Sequence, residues 1–169
     1  FGKANPSGKL PVSIPRDSRQ LPVYYNRRPR MGYYIDEKSD PLFPFGFGLS
    51  YTSFEYSNLR VTPAKGGADT KFVAEAEVAN TGKLAGDEVV QLYVEDAICT
   101  FVTPVKRLTD FKRISLKAGE KQTVRFEIGR KQLEQLDQHF RPRIEAGEFK
   151  VQIGGSSARG VVGSLWVKS

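Results

Sequence analysis

Between Lys71 and Asn80 the side chains alternate strictly. Phe72, Ala74, Ala76 and Val78 stand on one side, and Lys71, Val73, Glu75 and Glu77 on the other. A period of two marks a strand with one face in a core and one toward water. Lys121–Ile128 repeats the pattern, with Val124, Phe126 and Ile128 set against Thr123, Arg125 and Glu127. Phe149, Val151 and Ile153 oppose Lys150 and Gln152 in the same way, while Asp87–Glu95 is apolar on both sides, as a central strand is. Turn formers separate the runs: Gly66-Gly67, Asn80-Thr81-Gly82, Ala118-Gly119-Glu120, Ala146-Gly147-Glu148 and Gly154-Gly155-Ser156. The spacing predicts seven strands, at about 54–62, 71–80, 87–96, 107–116, 121–128, 139–145 and 147–154, with an eighth at 160–168. Arg130–Leu136 is the one helix-like turn and would bridge two sheets. Such a series implies an antiparallel β-sandwich of immunoglobulin type.

The first fifty residues follow another rule. They hold seven of the ten prolines, at 6, 11, 15, 22, 29, 41 and 44. Proline fixes its own backbone angle, removes a donor and pushes its predecessor toward extended conformations, so regular helix is excluded. Yet the stretch carries Leu10, Val12, Ile14, Leu21, Val23, Tyr24, Tyr25, Met31, Tyr33, Tyr34, Phe43, Phe45 and Phe47. A disordered linker is poor in such residues. The segment reads as an extended arm that packs along a surface. Residues from about Phe43 to Phe54 are expected on the sandwich, with the Phe43/Phe45/Phe47 alternation forming one buried face and residues 1–40 held more loosely.

Charge narrows the function. The formal net charge is +7, which first suggests nucleic acid. However, residues 1–50 hold eight basic and four acidic side chains, and the longer remainder holds eighteen and fifteen. The sandwich region is nearly balanced, so a basic solvated or interdomain arm is the reading and no nucleic-acid partner is expected. No run approaches the roughly 18 apolar residues of a membrane helix, so no membrane span is expected. Cys99 is the only cysteine, which rules out an internal disulfide. The opening Phe1-Gly2-Lys3-Ala4-Asn5-Pro6 reads like the middle of a longer chain, a fragment or a processed product.

The groups that could carry chemistry are sparse. His139 is the only histidine and sits beside Asp137 and Gln138 in an expected hairpin turn, so neither a Ser–His–Asp triad nor a histidine metal site is supported. Cys99 reads as a small, partly buried side chain after a strand. Gly46-Phe47-Gly48 and Gly154-Gly155 lack the strand–loop–helix context of a phosphate loop. Asp36-Glu37, Asp87-Glu88 and Glu95-Asp96 are sequence neighbours that point to opposite faces of a strand, unlike the facing carboxyls of a glycosidase, and read as solvated surface. No cofactor, metal or catalytic residue is assigned. The sharpest cluster is the aromatic one: Tyr24, Tyr25, Tyr33, Tyr34, Phe43, Phe45 and Phe47, continued by Tyr51, Phe54 and Tyr56. Stacking on sugar rings and packing against another domain are both open to it, and packing is the commoner use.

Several phrases, in order along the chain, resemble the C-terminal region of family 3 glycoside hydrolases of β-glucosidase type. They are Asn5-Pro6-Ser7-Gly8-Lys9-Leu10-Pro11-Val12, Leu21-Pro22-Val23-Tyr24-Tyr25-Asn26, and above all the run from Pro41-Leu42-Phe43-Pro44-Phe45-Gly46 through Phe54. Val78-Ala79-Asn80-Thr81-Gly82, Gly86–Tyr93, Pro104–Leu108 and Gly147–Ser157 complete the set. The resemblance implies that residues 1–48 are the tail of a preceding α/β-sandwich domain plus linker, and that 49–169 are a fibronectin type III-like β-sandwich. It implies a retaining hydrolase of terminal β-linked sugars, acting on glycosides or oligosaccharides in a periplasmic or secreted setting. The family's catalytic carboxylates lie upstream of this region, on the catalytic domains of the same polypeptide. These domains are the expected partner, and the seven aromatics from Tyr24 to Phe47 are the candidate interdomain contacts. An independent carbohydrate-binding or adhesion module is the alternative.

Overall fold

The computed structural model describes residues 4–27, 40–100 and 103–168. Its strands are β1 (Phe54–Thr62), β2 (Lys65–Gly66), β3 (Phe72–Asn80), β4 (Gly86–Asp96), β5 (Arg107–Leu116) and β6 (Lys121–Ile128). The short helix α1 (Arg130–Leu133) follows, then β7 (Gln135–Leu136), β8 (Pro142–Arg143), β9 (Gly147–Ser156) and β10 (Arg159–Val167). Two sheets face each other, one in the order β1-β3-β6 and the other β2-β10-β9-β4-β5. All long pairings are antiparallel, and only the two-residue β2 runs parallel to β10. This is the expected all-β sandwich of fibronectin type III-like kind, with an N-terminal arm laid against it.

Parity along each strand sets the core. Phe72, Ala74, Ala76 and Val78 on β3, Val124, Phe126 and Ile128 on β6, and Phe149, Val151 and Ile153 on β9 are all buried. Val90, Leu92 and Val94 of β4 meet them from the other sheet, with Ile114, Leu116, Leu165 and Val167 around them. Ala74 stands beside Phe126 in the ladder and Ala76 beside Val124, so small residues on β3 make room for large ones on β6. Strand β1 bends where its register slips between Ser57 and Arg60, and Asn58 takes the left-handed backbone (φ 55°) that asparagine tolerates.

Three expectations are corrected. Residues 139–145 are not a strand; β7 and β8 instead form a two-rung hairpin. The Asp137 carboxylate there accepts the backbone N–H groups of His139 and Arg141, and Pro142 has no N–H to give to a ladder. The helix-like turn expected over Arg130–Leu136 is confined to Arg130–Leu133, because the backbone is already extended at Glu134. The Phe43/Phe45/Phe47 alternation does not make one extended face, since a turn intervenes: Phe47 N–H donates to the Pro44 carbonyl and Gly46 adopts φ 79°.

Phe126 lies within this core and Thr123 on its exposed flank. Phe126→Ala is expected to cost about 3–5 kcal/mol, and Thr123→Ala no more than about 0.5 kcal/mol. Urea denaturation midpoints measure both, and equal midpoints would refute the register.

Candidate interdomain surface

The arm is bound more firmly than its proline content suggests. Leu10 N–H donates to the Phe47 carbonyl and Gly46 N–H to the Leu10 carbonyl, each at 2.8 Å. Ile14 pairs with Phe43 in an isolated antiparallel bridge. Asn5 accepts from Tyr51 N–H and the Ser50 hydroxyl and donates to the Ala85 carbonyl. The expectation that the stretch before Phe43 is held loosely is therefore wrong for residues 5–15, which form a backbone-paired loop with residues 42–51. A three-residue 3-10 turn, Ser18–Gln20, is capped by the Asp17 carboxylate. The side-chain and backbone hydrogen bonds from Arg19 hold that carboxyl below the usual range.

Two clamps fasten this loop to the sandwich. The first lies on the outer face of β4. Gln91 donates to the Gly46 carbonyl at 3.2 Å and to the Gly155 carbonyl at 2.8 Å, while accepting from the Tyr93 hydroxyl. A Cβ on Gly46 would stand 2.1 Å from the Gln91 Oε1, so the left-handed turn and the close approach both require glycine there. Tyr25 stacks on Phe45 with ring centroids 4.1 Å apart, meets Tyr93 edge-on at 6.0 Å, and accepts the Leu108 N–H.

The second clamp is ionic. Lys9 reaches the end of the sandwich, and its Nζ lies 2.8 Å from Glu88 Oε1. The Tyr56 hydroxyl donates to the same oxygen at 2.9 Å. Burial first, and the Glu88 charge second, push the Tyr56 hydroxyl far above its ordinary pKa, so it remains a donor. Glu88 is 5% exposed and sits on the core face of β4, in phase with Val90, Leu92 and Val94. A Cβ on Gly155 would come within 3.0 Å of this carboxylate, so the hairpin glycine keeps the space open.

The candidate contacts separate into distinct roles. Tyr25 and Phe45 are half-buried partners within the arm and with β4. Phe43 and Phe47 pack on each other, centroids 4.9 Å apart. Tyr24 points outward and is 61% exposed. Tyr33 and Tyr34 lie outside the described residues. Tyr24 lines a cavity of about 840 Å³ between the arm and the sandwich, shared with Leu21, Pro44, Lys106 and Ser157. The Lys106 ammonium on its floor donates to Gln152 and the Ser157 carbonyl, and burial holds its pKa below the ordinary lysine value.

Two of the carboxylates read as solvated are not. Glu88 is the anion of the clamp, and Asp96 is 9% exposed, its carboxyl raised chiefly because burial strips its hydration. Asp87 and Glu95 do face outward, and Asp36-Glu37 lies outside the described residues. Lys9, Glu88 and Gln91 are the clamp residues that sequence reasoning missed. The signal for Glu88 was parity, because it shares a phase with three core residues. His139 is exposed in its turn and Cys99 is partly buried after β4. Among the described residues no group of His, Cys, Asp or Glu could hold a metal ion, and no helix is long and apolar enough to cross a membrane.

Removing one partner of a buried ion pair leaves a charge with no counterpart. Lys9→Met is expected to destabilise the chain by about 3 kcal/mol, and the double variant Lys9→Met/Glu88→Gln by clearly less than the sum of the singles. A double-mutant cycle in urea measures this coupling. Single effects that add to within about 0.5 kcal/mol would mean that the two groups act independently.

Comparisons place this architecture. The profile of the glycosyl hydrolase family 3 C-terminal domain matches residues 1–51, and that of the fibronectin type III-like domain matches 88–157. A β-xylosidase of Formosa agariphila is 44% identical over 93% of this chain, which covers 22% of that protein. A periplasmic β-glucosidase of Salmonella typhimurium is 43% identical over 98% of the chain, which covers 23% of it. Among solved structures, a β-glucosidase from Erythrobacter marinus superposes with a TM-score of 0.94 at 39% identity, over 99% of this chain and 22% of that one. A β-glucosidase from Listeria innocua in complex with glucose gives 0.87 at 33% identity, over 98% and 25%. The chain thus spans about a quarter or less of the proteins it resembles. The matches run through arm and sandwich alike, and the chain belongs to glycosyl hydrolase family 3, as its C-terminal region.

Proposed function

We propose that this chain is the non-catalytic C-terminal part of a retaining glycoside hydrolase of β-glucosidase type, which removes terminal β-linked sugars. In this reading residues 1–48 are an arm leaving the preceding domain, residues 49–169 are the sandwich, and the two together buttress catalytic domains upstream in the same polypeptide. The observation that carries it is the outward surface of the arm. Tyr25 and Phe45 turn inward, whereas Val12, Leu21, Tyr24 and Leu42 of the arm are each about half exposed or more. Apolar side chains gathered on a rigid support mark a surface made to be covered. The relatives, four times as long, supply the kind of polypeptide that would cover it. The five candidate aromatics within the described residues then divide the work: Tyr25, Phe45, Phe43 and Phe47 shape the arm, and Tyr24 meets the neighbouring domain.

The test compares this chain with a polypeptide extended upstream to the length of its relatives. The extended protein is expected to hydrolyse an aryl β-glucoside and the 169-residue chain to give no turnover. Tyr24→Asp is expected to lower the melting temperature of the extended protein while changing the stability of the short chain by no more than about 0.5 kcal/mol. Turnover by the purified short chain that disappears when one of its own carboxylates is replaced would overturn the reading.

A further inference from the structure

The outer face of the five-stranded sheet is divided in two. The arm covers the part around Gln91 and Tyr93. The part toward β10 is open, and its side chains are laid out in rows. Val162, Ser164 and Trp166 of β10 are exposed in alternation with the inward Gly163, Leu165 and Val167. Ladder pairing puts Val162 beside Gln152, Ser164 beside Lys150 and Trp166 beside Glu148, and on the next strand Gln152 beside Tyr93 and Lys150 beside Glu95.

The middle row is a charge pair with capacity to spare. Lys150 Nζ stands 3.4 Å from Glu95 Oε1, with both side chains partly open to solvent. An ammonium has three protons and a carboxylate about four lone-pair sites, so one long contact leaves most of both unused. They border a cavity of about 190 Å³, whose other walls are Tyr93, Lys106, Gln152 and Val162. At roughly 30 Å³ per water this is room for about six waters, the bulk of a single sugar ring. Lys106 has two acceptors, at 2.8 and 2.9 Å, and therefore one proton left to give. Trp166 lies four residues from Val162 on the same face, about 13 Å away at roughly 3.3 Å per residue. Its ring is 46% exposed, and Lys65 Nζ, 6.0 Å from the centroid, is at the outer limit of a cation–π contact.

The chemistry selects the ligand. Three ammonium groups (Lys65, Lys106 and Lys150) are interspersed with two carboxylates (Glu95 and Glu148), so the face is close to balanced and builds no strong field of either sign. Paired donor and acceptor groups suit adjacent hydroxyls, and the indole suits the C–H face of a ring. We propose that this open half of the sheet binds a neutral oligosaccharide, with one ring in the Glu95–Lys150–Val162 cavity and another on Trp166. The site uses nothing from an upstream polypeptide, so it stands or falls apart from the hydrolase reading, which is tested by turnover of the extended protein.

Trp166 is the only tryptophan in the chain, so intrinsic fluorescence reports directly on this face. Laminaripentaose, cellopentaose and xylopentaose are titrated in turn into the 169-residue chain. At least one is expected to change the emission saturably in the millimolar range. Lys150→Ala and Glu95→Gln are each expected to weaken that binding at least about tenfold, and Phe111→Ala, on the edge strand β5, to leave it unchanged. Far-UV circular dichroism checks that each variant is folded. For Trp166→Ala, the Val162 amide resonance replaces fluorescence and should lose its response. No saturable change with any of the three sugars, or binding indifferent to both Lys150→Ala and Glu95→Gln, would overturn the proposal.

Discussion

The middle of strand β4 is covered on both faces, and much of the molecule follows from how that is done. Val90, Leu92 and Val94 point into the sandwich, where the opposing sheet covers them. Gln91 and Tyr93 point the other way, yet both are buried. A sandwich of two sheets leaves its outer faces to water, so a residue such as Tyr93 needs a third layer. Tyr25, Phe45 and Gly46 provide that layer, and the amide of Gln91 fixes where it sits. The arm is thus a short extra wall of the domain rather than a tether to it.

The two clamps differ in kind. The contact over β4 combines ring stacking with neutral hydrogen bonds, and each bond made there replaces one to water at a modest net gain. The Lys9–Glu88 contact replaces hydration with a single opposite charge, and such a pair contributes little against an apolar alternative of the same shape. Its consequence lies in selectivity. With Glu88 buried beside Tyr56, only a register that brings a cation to this point satisfies the carboxylate. The apolar contacts hold the arm down, and the ion pair decides which register they hold it in.

The sandwich was legible in the sequence because its strands obey a period of two with little exception. Phe72, Val124 and Phe149 announce their faces without help from tertiary context. The hairpin turn at Asp137–His139 was legible, but the shortness of the strand after it was not, because a side chain rather than hydrophobic phase organises the segment: Asp137 competes for the amides that a strand would use. The arm was read correctly as apolar and laid against a surface, but its turns and internal pairing were hidden. Leu10 and Phe47 are distant in sequence, and nothing local encodes their bond. Glu88 was misread because adjacent acids look like surface, although the phase of β4 contradicted this. Tyr24 and Tyr25, adjacent and chemically alike, showed no sequence difference that would tell the outward ring from the inward one.

The pairing of residues 5–15 with 42–51 bears on how such a domain can be moved between proteins. A chimera cut where the first long strand begins would carry the full sandwich and still leave Tyr93 and Glu88 facing water they were not built to meet. The transplantable unit starts near Asn5, whose side chain ties Tyr51 to Ala85. A graft that ignored the loop would import a strand with half its lining missing, and the recipient would have to supply a lysine, a glycine turn and two stacked rings in the same places.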